Sequence, residues 1–341
     1  MGIARTDYFC KVPLRFQKVP CWLLLAGMSL LQTPDLSGQV FAVQGQPEVP
    51  GFHLPDEPIS SDSLRGRRYW VGSLSGGFTL GSFLFLNKAW YSKYQQQGFH
   101  FFDDWGEWMQ TDKMGHALSA YSGCRVAGDL WQWAGLDRRK AAWVSVGSSM
   151  AYLTMVEVLD GFSEKWGFSP GDMLFNSAGA GLYLAQALGW GEQRVTVKLS
   201  YRGIRHDATY QERTDALFGT TGPERFLKDY NAQTLWLSGN LRAFFPDSRL
   251  PPWLNLAIGH NARMMLGGRE NRWTDGSGRV VNRSDVERYR RLFLSLDIDL
   301  SRIPVRNRSL RTLFSLVNIV KVPAPAVEWD LRGRIRLHGL Y

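Results

Sequence analysis

From Tyr69 to Asn87 the chain runs nineteen residues without a charge, YWVGSLSGGFTLGSFLFLN. A stretch of that length predicts a helix able to cross a membrane, or a core helix of a folded domain. Three further helices follow from the pattern. The first runs from Thr111 to Ala134, with Thr111 as expected N-cap and Asp112 in the first turn, where an anion suits the helix dipole. The second, Arg138 to about Leu159, is capped by Asp137. The third runs from Pro170 to Leu188, and its Ala178-Gly179-Ala180-Gly181 stretch allows helices to approach closely.

After Gly191 the period changes from 3.6 to 2. In RVTVKLSYRGI, Val195, Val197, Leu199 and Tyr201 alternate with Arg194, Thr196, Lys198 and Ser200. Trp253 to Leu266 and Arg291 to Ile303 alternate in the same way, Thr234 to Phe245 less cleanly. In AVEWDLRGRIRLHGLY, Val327, Trp329, Leu331, Ile335, Leu337 and Tyr341 share one face, while Glu328, Asp330, Arg332, Arg334, Arg336 and His338 share the other. Strands of about ten residues with strict alternation are the pattern of transmembrane barrels, and of soluble sheets with one wet face. The aromatic Tyr341, in phase with the apolar face, tips the expectation toward the barrel. Five strong strands are few, and odd in number, for a closed barrel. Asp297 and Asp299 are expected to pair with Arg332, Arg334 and Arg336 across a lumen, RYRRL (Arg288 to Leu292) to form a rim, and Ser309 to Val322 to hold a short helix.

The expected fold is therefore mixed α and β. A helical bundle of about four helices (69–190) precedes an antiparallel outer-membrane barrel-type β-sheet or partial barrel (191–341). Ahead of both, Arg5, Lys11, Arg15 and Lys18 precede the apolar CWLLLAGMSLL, and small residues follow near Ser37 to Gln39. That order predicts a signal peptide over 1–39, and the Pro-rich residues after it an extended linker over 40–68. No lipobox is visible, so lipidation at Cys10 or Cys21 is not expected; the remaining cysteine, Cys124, has no partner for a disulfide. The formal charge of +9 suits anionic lipid or lipopolysaccharide as partner, and no nucleic-acid motif is present.

Polar groups interrupt the apolar helices at three places. Asp112, Lys113 and His116 lie in TDKMGH, Glu157 and Asp160 in EVLDGFS, and Asp172 and Asn176 in SPGDMLFN. Each set has i,i+3 or i,i+4 spacing, which places its members on one helical face. Four helix ends would bring Asp112, His116, Glu157, Asp160 and Asp172 together.

DKMGH followed by EVLDGFSEKWGFSPGDMLFNSAGAG resembles the YfiM-like predicted lipoproteins of bacterial envelopes and, more distantly, the VanZ-like membrane proteins, over about residues 105–190. The resemblance implies a helical envelope domain. It implies no settled reaction, and the β-rich half lies outside it.

Two carboxylates and a histidine suit a divalent metal or acid–base work, but HExxH, HxHxD and GxSxG are absent, and the pattern names no cofactor and no particular metal. The same residues also suit a buried network that joins helix ends, with Lys113 neutralising a carboxylate. The leading expectation is an outer-membrane envelope protein, structural or part of an assembly with protein partners. The alternative is an enzyme or binding protein acting on a lipid-linked envelope substrate through the polar cluster. A pore is disfavoured because small barrels fill with side chains.

Overall fold

The computed structural model describes residues 60–89 and 95–341. The expected signal peptide and the linker up to residue 59 lie outside the described residues. From Ser61 the chain is already helical, so residues 61–68 are not extended. Ser60 Oγ accepts from the Ser63 backbone at 3.2 Å, and Asp62 sits in the first turn, which is how a helix start is satisfied.

Among the described residues there are eight α-helices, against about four expected in the bundle and one short helix near Ser309 to Val322. Four long ones come first: α1 (Ser61–Ala89), α2 (Thr111–Trp133), α3 (Arg138–Asp160) and α4 (Pro170–Gly189). Four short ones lie among the strands: α5 (Gln211–Phe218), α6 (Gly222–Lys228), α7 (Leu241–Phe244) and α8 (Arg308–Val317). α8 is the short helix expected near Ser309 to Val322; the other three, four to eight residues long, are too short to show a helical period. Among the described helices, α3 alone is long and apolar enough to cross a membrane, by length and composition only; the uncharged run of α1 does not qualify.

The strands are β1 (Val195–Tyr201), β2 (Gln233–Asn240), β3 (Leu254–Arg263), β4 (Arg272–Thr274), β5 (Val280–Asn282), β6 (Tyr289–Ile298), β7 (Ala326–Asp330) and β8 (Arg334–His338). Six form one antiparallel sheet in the order β1-β2-β3-β6-β7-β8, and β4 with β5 makes a small separate hairpin. The C-terminal stretch, expected as one long strand, is the β7–β8 hairpin. The chain reverses at Leu331 to Gly333, where Gly333 takes φ 91°, a conformation glycine adopts without a Cβ penalty. The alternation survived the turn in phase, which is why it read as a single strand.

The sheet is not a closed barrel, because β1 and β8 are not paired with each other. One parallel bridge, Leu199 with Val320, covers part of the β1 edge, with Leu199 N donating to Ile319 O at 2.8 Å and Lys321 N to Leu199 O at 2.9 Å. Arg288 to Leu292 is not a rim: β6 begins at Tyr289, and Arg291 is buried on Glu328 at 3.0 Å. The expected lumen pairs also differ. Asp297 pairs with Lys198, Asp299 with Arg302, Arg332 with Asp330 and Arg336 with Glu328. Tyr341 does not lie on the apolar face. It is buried against Phe293, ring centroids 4.2 Å apart, with its hydroxyl on Thr234 Oγ1 at 3.0 Å. Strand geometry ends at His338, so its phase no longer governs residue 341.

The two faces of the sheet are inverted relative to a soluble protein. Register places Leu237, Ile258, Leu294, Val327 and Leu337 in one row and Leu256 beside Leu296, Trp329 beside Ile335. These side chains are exposed, Ile335 by 72% and Leu337 by 81%. The opposite face carries Lys198, Ser238, Asn255, Asn261, Asp297 and Glu328, all buried, beside a small apolar cluster of Trp236, Ala257, Phe293 and Ala326. The helices cover the apolar face only at its β1–β2 end, where Val197, Leu199 and Leu235 join Leu118, Tyr121, Cys124, Ala180 and Tyr183 in one core. Gly179 makes the α2–α4 contact possible, since a Cβ there would lie 2.1 Å from Ala117 O.

Candidate functional site

The N-terminus of α2, the C-terminal turn of α3 and the N-terminus of α4 meet at one end of the bundle. Ser169 caps α4 by accepting from Asp172 N at 3.0 Å, and Pro170 follows at the first turn, where its missing N–H costs nothing. That cap fixes Asp172 and, one turn on, Asn176 toward α2. The entry to α2 is strained. Trp108, Met109 and Gln110 have φ of 47°, 50° and 63°, three consecutive left-handed residues without glycine. Such residues cost about 1–2 kcal/mol each and persist only where surroundings hold them. Trp108 N donates to Gly268 O at 2.7 Å, and its ring packs on Tyr230 and Phe218. The expected cap Thr111 is instead the first helical residue, with Gln110 at the N-cap and no side-chain cap bond.

The cluster has two halves. The inner half is a satisfied network. Lys113 Nζ donates to Asp104 Oδ1 at 2.6 Å and to Asp172 Oδ1 at 3.0 Å, and Ser169 Oγ donates to Asp104 Oδ1 at 2.6 Å. Burial disfavours both charges, but the hydrogen bonds win: the Lys113 ammonium is held above its usual range and the Asp104 carboxyl below its own.

The outer half is looser. His116 is partly exposed and ringed by carboxylates. Its Nε2 lies 4.0 Å from Asp112 Oδ2 and 3.7 Å from Asp172 Oδ2. Its Nδ1 lies 3.5 Å from Glu157 Oε1 and 3.3 Å from Asn176 Oδ1. Burial pulls the imidazole pKa down, and Asp112, Asp172 and Glu157 together carry it above the ordinary histidine value. Burial pushes Glu157 up to about 8, with His116 opposing and Asp172 and Asp160 adding to the rise. It pushes Asp172 up to about 6 against the pull of His116.

All seven sequence-predicted residues, Asp112, Lys113, His116, Glu157, Asp160, Asp172 and Asn176, fall in this region. Asp160 acts on Glu157 through its charge. Two participants were missed. Asp104 sits in FFDDWGEW, an acid among aromatics with no helical phase to announce it. Tyr230, from the loop before β2, donates its hydroxyl to Asp112 Oδ1; no local pattern connects residues 118 apart. A charged cleft elsewhere, lined by Arg125, Asp129, Arg138, Glu192, Asp299 and Arg302, was not foreseen either.

The architecture is thus a helix bundle with a polar cluster at one end, attached to a curled antiparallel sheet. Residues 100–186 match the model of a family described as predicted periplasmic lipoprotein (DUF2279). That span includes every member of the cluster from Asp104 to Asn176, but not Tyr230 or the sheet. The description concerns location and names no reaction. No curated protein and no solved structure matches the chain.

Proposed function

We propose that the protein is an envelope component that rests the apolar face of its sheet in a lipid surface, that of the outer membrane, and serves there as a structural or assembly part. The single observation behind this is the inverted sheet: Leu256, Ile258, Leu294, Leu296, Trp329, Ile335 and Leu337 exposed, Lys198, Asp297, Arg291 and Glu328 buried. Soluble monomers rarely leave so extended an apolar patch uncovered. Of the six strands, only β3 and β6 have ten residues, and β7 and β8 have five. A tilted strand needs about 9–11 residues to span a bilayer, so the face suits insertion into one leaflet better than a crossing. The family match at residues 100–186 supports an envelope location, and the net charge, +9 for the whole sequence and +7 without residues 1–39 (four Lys/Arg less two Asp), supports anionic headgroups, lipopolysaccharide among them, as the lipid partner. The signal peptide over 1–39 and the YfiM-like and VanZ-like kinship belong to this reading. So does the division into helical (69–190) and sheet (191–341) parts.

The test is flotation with vesicles containing anionic lipid. Wild-type protein should float with the vesicles, and Ile335→Arg/Leu337→Arg should float at least tenfold less while keeping the wild-type melting temperature. Equal flotation of the two, or wild-type protein left in the aqueous fraction, would refute the reading.

A second reading, an enzyme or binding protein acting on a lipid-linked envelope substrate, is favoured by the outer half of the cluster. There His116 faces Asp112, Asp172 and Glu157 at 3.5–4.0 Å rather than being tied into hydrogen bonds with them.

A further inference from the structure

For each of Asp112, Asp172 and His116, one polar atom is held by the protein while another is turned toward a common point. Asp112 accepts from the Tyr230 hydroxyl on Oδ1, and its Oδ2 faces His116 Nε2. Asp172 accepts from Lys113 on Oδ1, and its Oδ2 faces the same Nε2 at 3.7 Å. The His116 Nδ1 is turned to Asn176 Oδ1 and Glu157, which leaves Nε2 for the two aspartates. One ligand atom from each of Asp112, His116 and Asp172 lies within 4.8 Å of the others.

We propose that Asp112 Oδ2, Asp172 Oδ2 and His116 Nε2 bind one divalent transition-metal cation, with Tyr230, Lys113, Asn176 and Glu157 as the outer groups that orient the ligands. Oxygen and nitrogen ligands about 2.0–2.2 Å from such an ion stand about 3.0–3.5 Å apart, so the separations of 3.7 and 4.0 Å close with side-chain shifts of a few tenths of an ångström. An imidazole whose second nitrogen is fixed by a carboxylate or amide is the recurrent form of a metal-binding histidine. Two carboxylates and one imidazole, with no thiolate, select zinc or manganese over softer ions. Three protein ligands leave a coordination position for solvent or a ligand, and the partial exposure of Asp112 and His116 gives access to it.

A second, independent observation points to the same place. Asn176 is fully buried, its amide lies against His116, and among the described residues its Nδ2 has no hydrogen-bond partner. A buried N–H donor without an acceptor is costly. A water or anion held by the ion beside Asp172, one helical turn before Asn176 on the same face, would supply the acceptor. The inference does not depend on the lipid reading, since it concerns the bundle end and not the sheet face.

The experiment is calorimetric titration of chelator-treated, purified full-length protein with Zn²⁺ and with Mn²⁺, and X-ray absorption of the zinc complex. One equivalent should bind. Asp112→Asn and His116→Gln should each weaken binding at least tenfold with unchanged circular dichroism, and Tyr230→Phe should weaken it roughly 10–100-fold as an orienting group does. The absorption spectrum should show one imidazole, oxygen ligands and no sulfur. It requires no variant, so it decides the matter even where a substitution fails to fold. Folded wild-type protein that binds neither ion would overturn the proposal, as would variants that bind normally or a spectrum with sulfur or with two imidazoles.

Discussion

Lys198 of β1 and Asp297 of β6 meet at 2.7 Å, both sealed from solvent, although β2 and β3 lie between their strands. Three strand spacings amount to about 14 Å in a flat sheet. The pair therefore exists because the sheet curls until its polar face becomes an interior. Ser238 Oγ donates to Asp297 Oδ2 at 2.6 Å, Val322 N to Oδ1 at 3.2 Å, and Lys198 Nζ to Ile298 O at 2.8 Å, so both charges are surrounded by partners.

Lys198→Met should destabilise the protein by about 3–5 kcal/mol, because it strands a buried carboxylate. The Lys198→Met/Asp297→Leu double variant should recover much of that loss, since it removes both charges. Denaturant unfolding measures both. A single-variant cost below about 1 kcal/mol would mean that the interior admits water and that the pair is not what holds the curl.

Two glycines in one helix should respond in opposite ways. Gly179→Ala puts a methyl group 2.1 Å from Ala117 O and forces α2 and α4 apart, at a cost of about 1–3 kcal/mol. Gly181→Ala meets nothing within 4 Å and should stabilise α4 by up to about 1 kcal/mol through helix propensity. Thermal melting of the two variants checks the pairing. Equal effects would show that the close approach at Gly179 is not real.

The small-residue stretch of α4 thus announced a helix contact without saying which glycine makes it. The same limit ran through the whole chain. The long helices and most strands were legible because their apolar periods are strong, and the polar motifs were legible because an acid or imidazole in an apolar helix is conspicuous. Tyr230 and Asp104 were not, since their roles depend on tertiary approach. The β7–β8 reversal was hidden because Gly333 turned the chain without breaking the alternation. Lys198 was legible as part of the polar face of a strand, but its pairing with Asp297 was not. Alternation shows which residues share a face; the buried face here is the charged one, as a barrel-type sheet turns it inward, with Trp236 and Phe293 packed among its polar groups.

The cleft beside α2 makes stability depend on pH at a point remote from the His116 cluster. Burial pushes the Asp129 carboxyl up to about 6, against Arg125 on the same helix and Ser315 of α8; Tyr183 of α4 also faces it. An acid whose folded pKa exceeds its unfolded value, here 3.8, binds more protons when native, so its contribution falls as pH rises from about 4 through 6 and stays low above that. Asp129→Asn should therefore raise the melting temperature at pH 8, with the gain shrinking toward pH 4. A gain that grows on acidification would reverse the sign and discard the assignment.

Contact between the apolar face of the sheet and lipid is the central proposal, and nitroxide labels read that contact directly. Labels at Leu296 and Ile335 on the exposed apolar face, and a reference label at Ser277 in the β4–β5 turn, would be compared in anionic vesicles by their collision rates with molecular oxygen and with a water-soluble nickel chelate. Oxygen partitions into hydrocarbon and the chelate does not. The predicted result is high oxygen and low nickel accessibility at Leu296 and Ile335, with the opposite at Ser277. Nickel accessibility at Leu296 and Ile335 equal to that at Ser277 would contradict the account.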